Sequence, residues 1–323
     1  MRKFLSIVLA LAMTAALFAG CSATDSPSAA AGSEATSQAE AGSEAAKTVK
    51  IGVSVANLAN SFYLEIKEGL ESSLNKGDQL SITDANLDSA KQINDIEDMV
   101  QQKMDIILVD PVDSKGIKSA LDSCAKANIP VIAFNSPVDD VDLVKSTVAS
   151  DNYMAGELIA EALAKAINEK GNIAMYNYSV VKVCKDRGDG FEAGIAKYPN
   201  IKIVNKQEGK PATDASLPVM ENILQANPDI VGVFALNDPA AIGCIAAIES
   251  AGKINQIKVV GVDGSKDGRS MITNGKMLAS AAQFPKQIGS VSIETAYKIL
   301  AGEKVEADIK IPVELVDKSN AAS

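Results

Sequence analysis

Ile106-Ile107-Leu108-Val109-Asp110 is four bulky apolar residues running into a carboxylate, and the same construction recurs along the chain. Val131-Ile132-Ala133-Phe134 stops at Asn135-Ser136, and Val231-Gly232-Val233-Phe234 runs on to Asn237-Asp238. Val259-Val260-Gly261-Val262 ends at Asp263, and Leu278-Ala279-Ser280-Ala281-Ala282 at Gln283. Apolar runs of this length closed by turn formers describe strands covered on both faces, the habit of parallel sheets. Ligands of open parallel sheets lie beyond the carboxyl ends of the strands. A chain that repeatedly sets carboxylates and amides at that edge is built to hold a small polar molecule.

Helical periodicity fills the intervals. A strand over 49–55 precedes Phe62, Ile66, Leu70 and Leu74, spaced by four, with Gly77 placed as the C-cap. A strand over 80–83 leads to a helix carrying Ile93, Ile96 and Val100, and the strand over 106–109 to a helix holding Cys124. With the strand over 131–134 this makes four β-α units. A second series follows Ser150: a helix over 153–169, then strands over 172–176, 201–206, 230–234, 258–262 and 278–282 with helices between them. The fold class expected is α/β, two doubly wound parallel-sheet domains with a cleft between them, a preferred place for ligands.

Composition narrows the chemistry. The 323 residues suffice for two cores and carry a net charge of −10, a sign that opposes nucleic-acid backbones, so no nucleic-acid partner is expected. There is no histidine, which removes His-based triads, His metal ligands and His proton shuttles. No nucleophile–base pair or clustered metal-ligand spacing is visible, so neither catalysis, a cofactor nor a metal is expected. Asp84-Ala85-Asn86-Leu87-Asp88 hints at a calcium loop, but Ser89 stands where the glycine is needed. Cys124, Cys184 and Cys244 are odd in number and far apart, and Cys124 shares a helix face with Ile117, Ala120 and Leu121, the pattern of a small core residue.

The N-terminus reads as an export leader over 1–20, with Arg2-Lys3, an apolar stretch from Phe4 to Phe18, and Ala19-Gly20 before Cys21. Leu17-Phe18-Ala19-Gly20-Cys21 resembles a bacterial lipobox, which makes Cys21 the expected lipidation site and places the protein on the outer face of the cytoplasmic membrane. Residues 21–47 are Ala/Ser/Gly/Glu-rich and repeat Ala-Gly-Ser-Glu-Ala, a flexible tether spanning on the order of 25–30 Å.

Eight segments, in order, resemble the type I periplasmic sugar-binding proteins, the ribose-binding group in particular. They are Ile51-Gly52-Val53-Ser54-Val55 with Asn60-Ser61-Phe62-Tyr63, Asp110-Pro111-Val112-Asp113-Ser114, Ile129-Pro130-Val131-Ile132, Ala149-Ser150-Asp151-Asn152, Arg187-Gly188-Asp189-Gly190-Phe191, Phe234-Ala235-Leu236-Asn237-Asp238, Gly261-Val262-Asp263-Gly264 and Gln283-Phe284-Pro285. The resemblance implies two domains, 48–150 plus 284–312 and 151–283 plus 313–323, joined by three crossovers and closing on a sugar. It implies a monomer serving a membrane-embedded ABC permease with its ATPase, the ligand being a monosaccharide or polyol. A receptor that presents its ligand to a chemoreceptor or sensor kinase, including an autoinducer-two-type furanosyl compound, is the alternative.

Residue by residue, the resemblance places Asn60, Phe62, Tyr63, Asp110, Asn135 and Ser136 on the first domain's side of the ligand. Lys185, Asn237 and Asp263 fall on the second, with Gln283 at a hinge. Carboxylates accept from hydroxyls, amides donate and accept, and aromatic faces cover a sugar ring. Asn135-Ser136 stands where ribose binders carry Asp-Arg, and Lys185 where they carry a second arginine. Arg187 is read as a structural partner of a carboxylate, outside the pocket. In Asn237-Asp238-Pro239 the ligand role goes to Asn237 and the helix cap to Asp238.

Overall fold

The computed structural model describes residues 48–322. The leader, Cys21 and the tether lie outside these residues.

In chain order the elements are β1 Lys50–Val55, α1 Ser61–Ser72, β2 Gln79–Asp84, α2 Ser89–Gln101, β3 Ile106–Val109, α3 Lys118–Lys126, β4 Val131–Phe134 and β5 Ser146–Ser150. Then come α4 Asn152–Ala166, β6 Lys170–Asn177, α5 Lys182–Ile195, β7 Asn200–Glu208, α6 Thr213–Ala226, β8 Ile230–Ala235, α7 Asp238–Ser250, β9 Lys258–Asp263, α8 Lys266–Thr273 and β10 Ala279–Ala282. The last are α9 Pro285–Leu300, β11 Asp308–Ile311 and β12 Glu314–Val316. One six-stranded sheet has the order β11-β5-β4-β3-β1-β2 and the other β12-β10-β9-β8-β6-β7. The pairings are parallel except β10 with β12. The chain passes between the sheets three times, after β5, after β10 and after β11. This is the fold class read from the sequence.

The central strands explain their own composition. Every residue of β3 and β4 is buried, because helices cover both faces, so the runs show no polar alternation. Ile51, Val53, Leu108, Ile132 and Phe134 pack on Ile66, Leu70 and Ile288 on one face of the first sheet. Ile107, Val109, Val131 and Ala133 pack on Ile96, Met99, Leu121 and Cys124 on the other. The second sheet has its own core around Tyr176, Phe191 and Phe234.

Each sheet also has a helix pair in backbone contact. A Cβ on Gly69 of α1 would stand 2.1 Å from the Lys286 carbonyl oxygen of α9, and one on Gly289 of α9 2.3 Å from that of Ile66. In the other half, a Cβ on Gly156 of α4 would stand 2.1 Å from the Arg187 oxygen of α5, and one on Gly190 2.1 Å from that of Tyr153. No side chain fits those gaps, so glycine sets the separation of the helices that carry the cleft's aromatic and cationic groups.

Several local expectations are corrected. Gly77 does not cap α1, which ends at Ser72 with Ser73 as its C-cap; Gly77 lies in the following turn at φ +101. β5, β11, β12 and α8 are not expected from the sequence, because they carry little apolar run or periodic signal of their own. Asp88 is the N-cap of α2, its carboxylate accepting from Ala90 and Lys91.

Candidate functional site

A cavity of about 200 Å³ lies between the carboxyl edges of the two sheets. That is below the roughly 300–1,000 Å³ of sites for drug-sized ligands, and suits one small molecule. From the first half it is lined by Asn60, Phe62, Tyr63, Asp110, Asn135 and Ser136. From the second come Arg187, Cys184, Tyr178, Asn237 and Asp263, with Gln283 at a crossing. The halves also touch beside the cavity, where Ser114 Oγ accepts from the Lys182 N–H that opens α5, at 3.5 Å.

In the first half Asp110 is 1% exposed, one residue past β3. Asn135 Nδ2 donates to its Oδ1 at 3.1 Å, the Ala56 N–H lies 3.4 Å from Oδ2, and the Tyr63 hydroxyl and Ser136 N–H also reach it. Asn135 presents its amide from a left-handed backbone, φ +58, a conformation that asparagine tolerates. Burial pushes the Asp110 carboxyl up to about 7, with these hydrogen bonds opposing the shift. Burial likewise holds the Tyr63 hydroxyl well above its usual range. The Phe62 and Tyr63 rings meet edge to face, 5.6 Å apart at 89°. Asn60 is the N-cap of α1, its Oδ1 accepting from Phe62 N at 3.0 Å.

In the second half Asp263 ends β9, and Gln283 Nε2 donates to its Oδ1 at 2.8 Å. Arg187 Nη1 stands 3.7 Å from the same oxygen. Arg187 Nε donates to Asn152 Oδ1 at 2.7 Å, and Nη1 to the Leu236 carbonyl at 3.1 Å. Burial raises the Asp263 carboxyl to about 7; Arg187 pulls it down and Asp238 pushes it up. Two buried side-chain atoms at this cavity, Ser136 Oγ and Gln283 Oε1, have no hydrogen-bond partner among the described residues. Buried polar atoms are nearly always paired, so both call for a partner from outside the chain.

Three sequence-based assignments change. Lys185 does not line the cavity: its side chain is 54% exposed and its ammonium is paired with Asp189. Arg187 does line it, 5% exposed. Helix phase is the reason, since residues two apart point to different sides while Cys184, Arg187 and Phe191 form one inward stripe. Asn237, not Asp238, is the N-cap of α7, accepting from Ala240 N at 2.9 Å, and it lines the cavity as well. Tyr178 and Cys184 were missed; the burial stripe of α5 was the available signal for Cys184. Lys185→Ala is expected to leave ligand affinity within about twofold, since it removes only a surface ion pair; a loss of tenfold or more by calorimetry would return Lys185 to the site.

The raised carboxyls set a pH dependence. The unfolded chain releases these protons near the ordinary value of 3.8, whereas folded Asp110 and Asp263 hold theirs to about 7. Their contribution to stability is therefore full below about pH 4 and lost as pH rises through about 7. The melting temperature of the ligand-free protein is expected to fall between about pH 5 and pH 8. A rise across that window would contradict the assigned burial.

The family profile described as the periplasmic binding protein domain matches residues 51–304. The chain belongs to that family, an exported family of binding proteins and not of enzymes. The ribose import binding protein of Bacillus subtilis is 38% identical over 271 residues, 83% of this chain and 87% of that one. That of Escherichia coli is 34% identical over 83% of this chain and 90% of its own. Among solved structures, an Actinobacillus succinogenes solute-binding protein with bound D-allose superposes with a TM-score of 0.80 at 31% identity, covering 85% of this chain and 99% of its own. A Bacillus halodurans solute-binding protein with bound myo-inositol gives 0.80 at 29% identity, over 85% and 96%.

Proposed function

We propose that this protein is the extracytoplasmic receptor of an ABC importer, capturing one neutral monosaccharide or polyol and delivering it to a membrane permease. The observation that carries the reading is the convergence of two polar half-sites on one cavity, with Ser136 Oγ and Gln283 Oε1 left unpartnered at its wall. Asp110 and Asp263 accept from ligand hydroxyls, Asn60, Asn135, Asn237 and Gln283 donate and accept, and Arg187 donates. Phe62 and Tyr63 cover an apolar ring face. Two carboxylates against one guanidinium disfavour a phosphorylated sugar. The relatives named for ribose and the structural neighbours holding D-allose and myo-inositol support the same ligand class.

The jaws are 48–150 plus 284–312 and 151–283 plus 313–323. The ligand touches both only when they are together, so binding shifts the population from open to closed. Lipidation at Cys21 and the tether over 21–47 hold the receptor beside its permease.

Thermal-shift screening of the mature chain against pentoses, hexoses, inositols and linear polyols tests the reading. A ligand that binds only the native state raises the melting temperature by mass action. One or a few of these compounds are expected to do so; no shift with any of them at millimolar concentration would overturn the assignment.

A further inference from the structure

The aim of the Asp263 carboxylate depends on a turn that is not relaxed. Asp263 has φ +131 and Gly264 φ +62. A non-glycine residue holds such a backbone only where its surroundings impose it. Here the imposing group is one carboxylate. Ser265 donates to Asp238 Oδ2 from both its N–H and its Oγ, each at 2.8 Å. Ser280 Oγ donates to Asp238 Oδ1 at 2.6 Å and accepts from Gly264 N at 3.0 Å. The Asp238 N–H also faces the Asp263 carboxylate and favours its ionised form.

Asp238 is fully buried and does not line the cavity. Its chamber is cut to a carboxylate: a Cβ on Gly268 would stand 2.1 Å from Oδ2, and one on Gly261 2.7 Å from Oδ1. The start of α7 does not need it, because Asn237 already caps that helix. A buried acid that is not a cap, and that feels Arg187 only at a distance with no ion-pair contact among the described residues, yet holds both sides of a strained turn, has its work in that turn.

We propose that Asp238 is a positioning residue for ligand capture, holding the Asp263-Gly264-Ser265 turn so that the Asp263 carboxylate faces the cavity. The inference rests on the reading that Asp263 binds ligand. Asp238 acts electrostatically too, because it opposes the ionisation of Asp263 while Arg187 favours it. The other titratable groups facing Asp263 are Cys184 on α5 and Tyr63 on α1, and Arg269 of α8 donates to the Gly264 carbonyl. With the Asp238 charge removed, Asp263 ionises at lower pH.

The test compares wild type with Asp238→Asn, Ser280→Ala and Asp263→Asn. D-ribose, D-allose and myo-inositol are titrated calorimetrically from about pH 5.5 to 8.5, and the Asp263 carboxyl carbon is followed by NMR without any sugar. Asp238→Asn keeps the shape of the side chain and is expected to weaken binding about tenfold, the scale of one lost charge-assisted hydrogen bond. It should also move the acid limb of the affinity profile, and the Asp263 titration, to lower pH. Ser280→Ala, which cuts the strut to Gly264 N but keeps the Asp238 charge, should weaken binding without that downward pH shift, and it serves if Asp238→Asn does not fold. Wild-type affinity and an unmoved Asp263 titration in Asp238→Asn, with binding weakened tenfold or more in Asp263→Asn, would overturn the proposal and leave the Asp263 reading standing. Weaker binding with an unmoved titration would make Asp238 merely structural and overturn it too. Wild-type affinity in Asp263→Asn would remove the underlying reading and the proposal with it.

Discussion

Arg187→Met is expected to weaken ligand capture severely and to lower the melting temperature in the same experiment. Arg187 is 5% exposed, and its guanidinium is spread over three partners: Asn152 Oδ1, the Leu236 carbonyl and, at 3.7 Å, Asp263 Oδ1. Methionine fills much of the volume but serves none of them. Breaking a buried ion pair by removing one partner costs about 3–5 kcal/mol, because the surviving charge stays buried without its partner. Here Asp263 is that survivor. The loss pushes its carboxyl further up, so the variant's stability deficit should deepen as pH rises through 7, where the wild-type carboxyl titrates. Affinity should fall by about two to three orders of magnitude, the scale for truncating one member of a desolvated charged contact. Calorimetry and a melting curve on one preparation read both effects. Affinity within about threefold of wild type would mean that the guanidinium serves the fold alone.

Asp263→Asn separates the two effects. The amide keeps the shape, can still accept from Gln283 Nε2, and tolerates a positive φ better than most residues. What it loses is the charged acceptor facing the cavity. A hydrogen bond to a charged group is worth roughly 1.5–3 kcal/mol, so a loss of about tenfold to a hundredfold in affinity is expected, or more if two ligand hydroxyls share the carboxylate. The fold should persist, because a buried carboxyl raised to about 7 contributes no stability above that pH. Melting within about 3 °C of wild type at pH 8, together with lost binding, is the expected pair of results. Unchanged affinity would remove Asp263 from the site.

Much of the architecture was legible because its strands are buried on both faces. β3 and β4 announce themselves as Ile106–Val109 and Val131–Phe134, and the polar residue after each marks the binding edge. β5, Ser146–Ser150, is just as buried, yet Ser-Thr-Val-Ala-Ser has no apolar run; it is a strand because β4 and β11 flank it. Such an element is defined by its neighbours and cannot be read alone. The site shows the same division. Asp110, Asn135, Asp263 and Gln283 follow from strand ends, whereas choosing between Lys185 and Arg187 needed the rotational phase of α5. Asn237-Asp238 offers two equally good capping side chains in sequence, and only the packing of Gly261, Gly268, Ser265 and Ser280 tells them apart.

The two strand orders run in step, so that β3 corresponds to β8 and β4 to β9, as in an internal duplication with a pseudo-twofold axis through the cleft. At these matched places the chemistry is exchanged. Asp110 after β3 answers Asn237 after β8, and Asn135 after β4 answers Asp263 at the end of β9. The helices break the symmetry further, since α5 brings Arg187 to the cavity while α1 brings Phe62 and Tyr63. A ligand turned over about the axis would set its ring face against the guanidinium and its hydroxyls against the aromatic rings. Selection of one ligand orientation over its flipped counterpart thus comes from repeating one scaffold twice and decorating the copies differently.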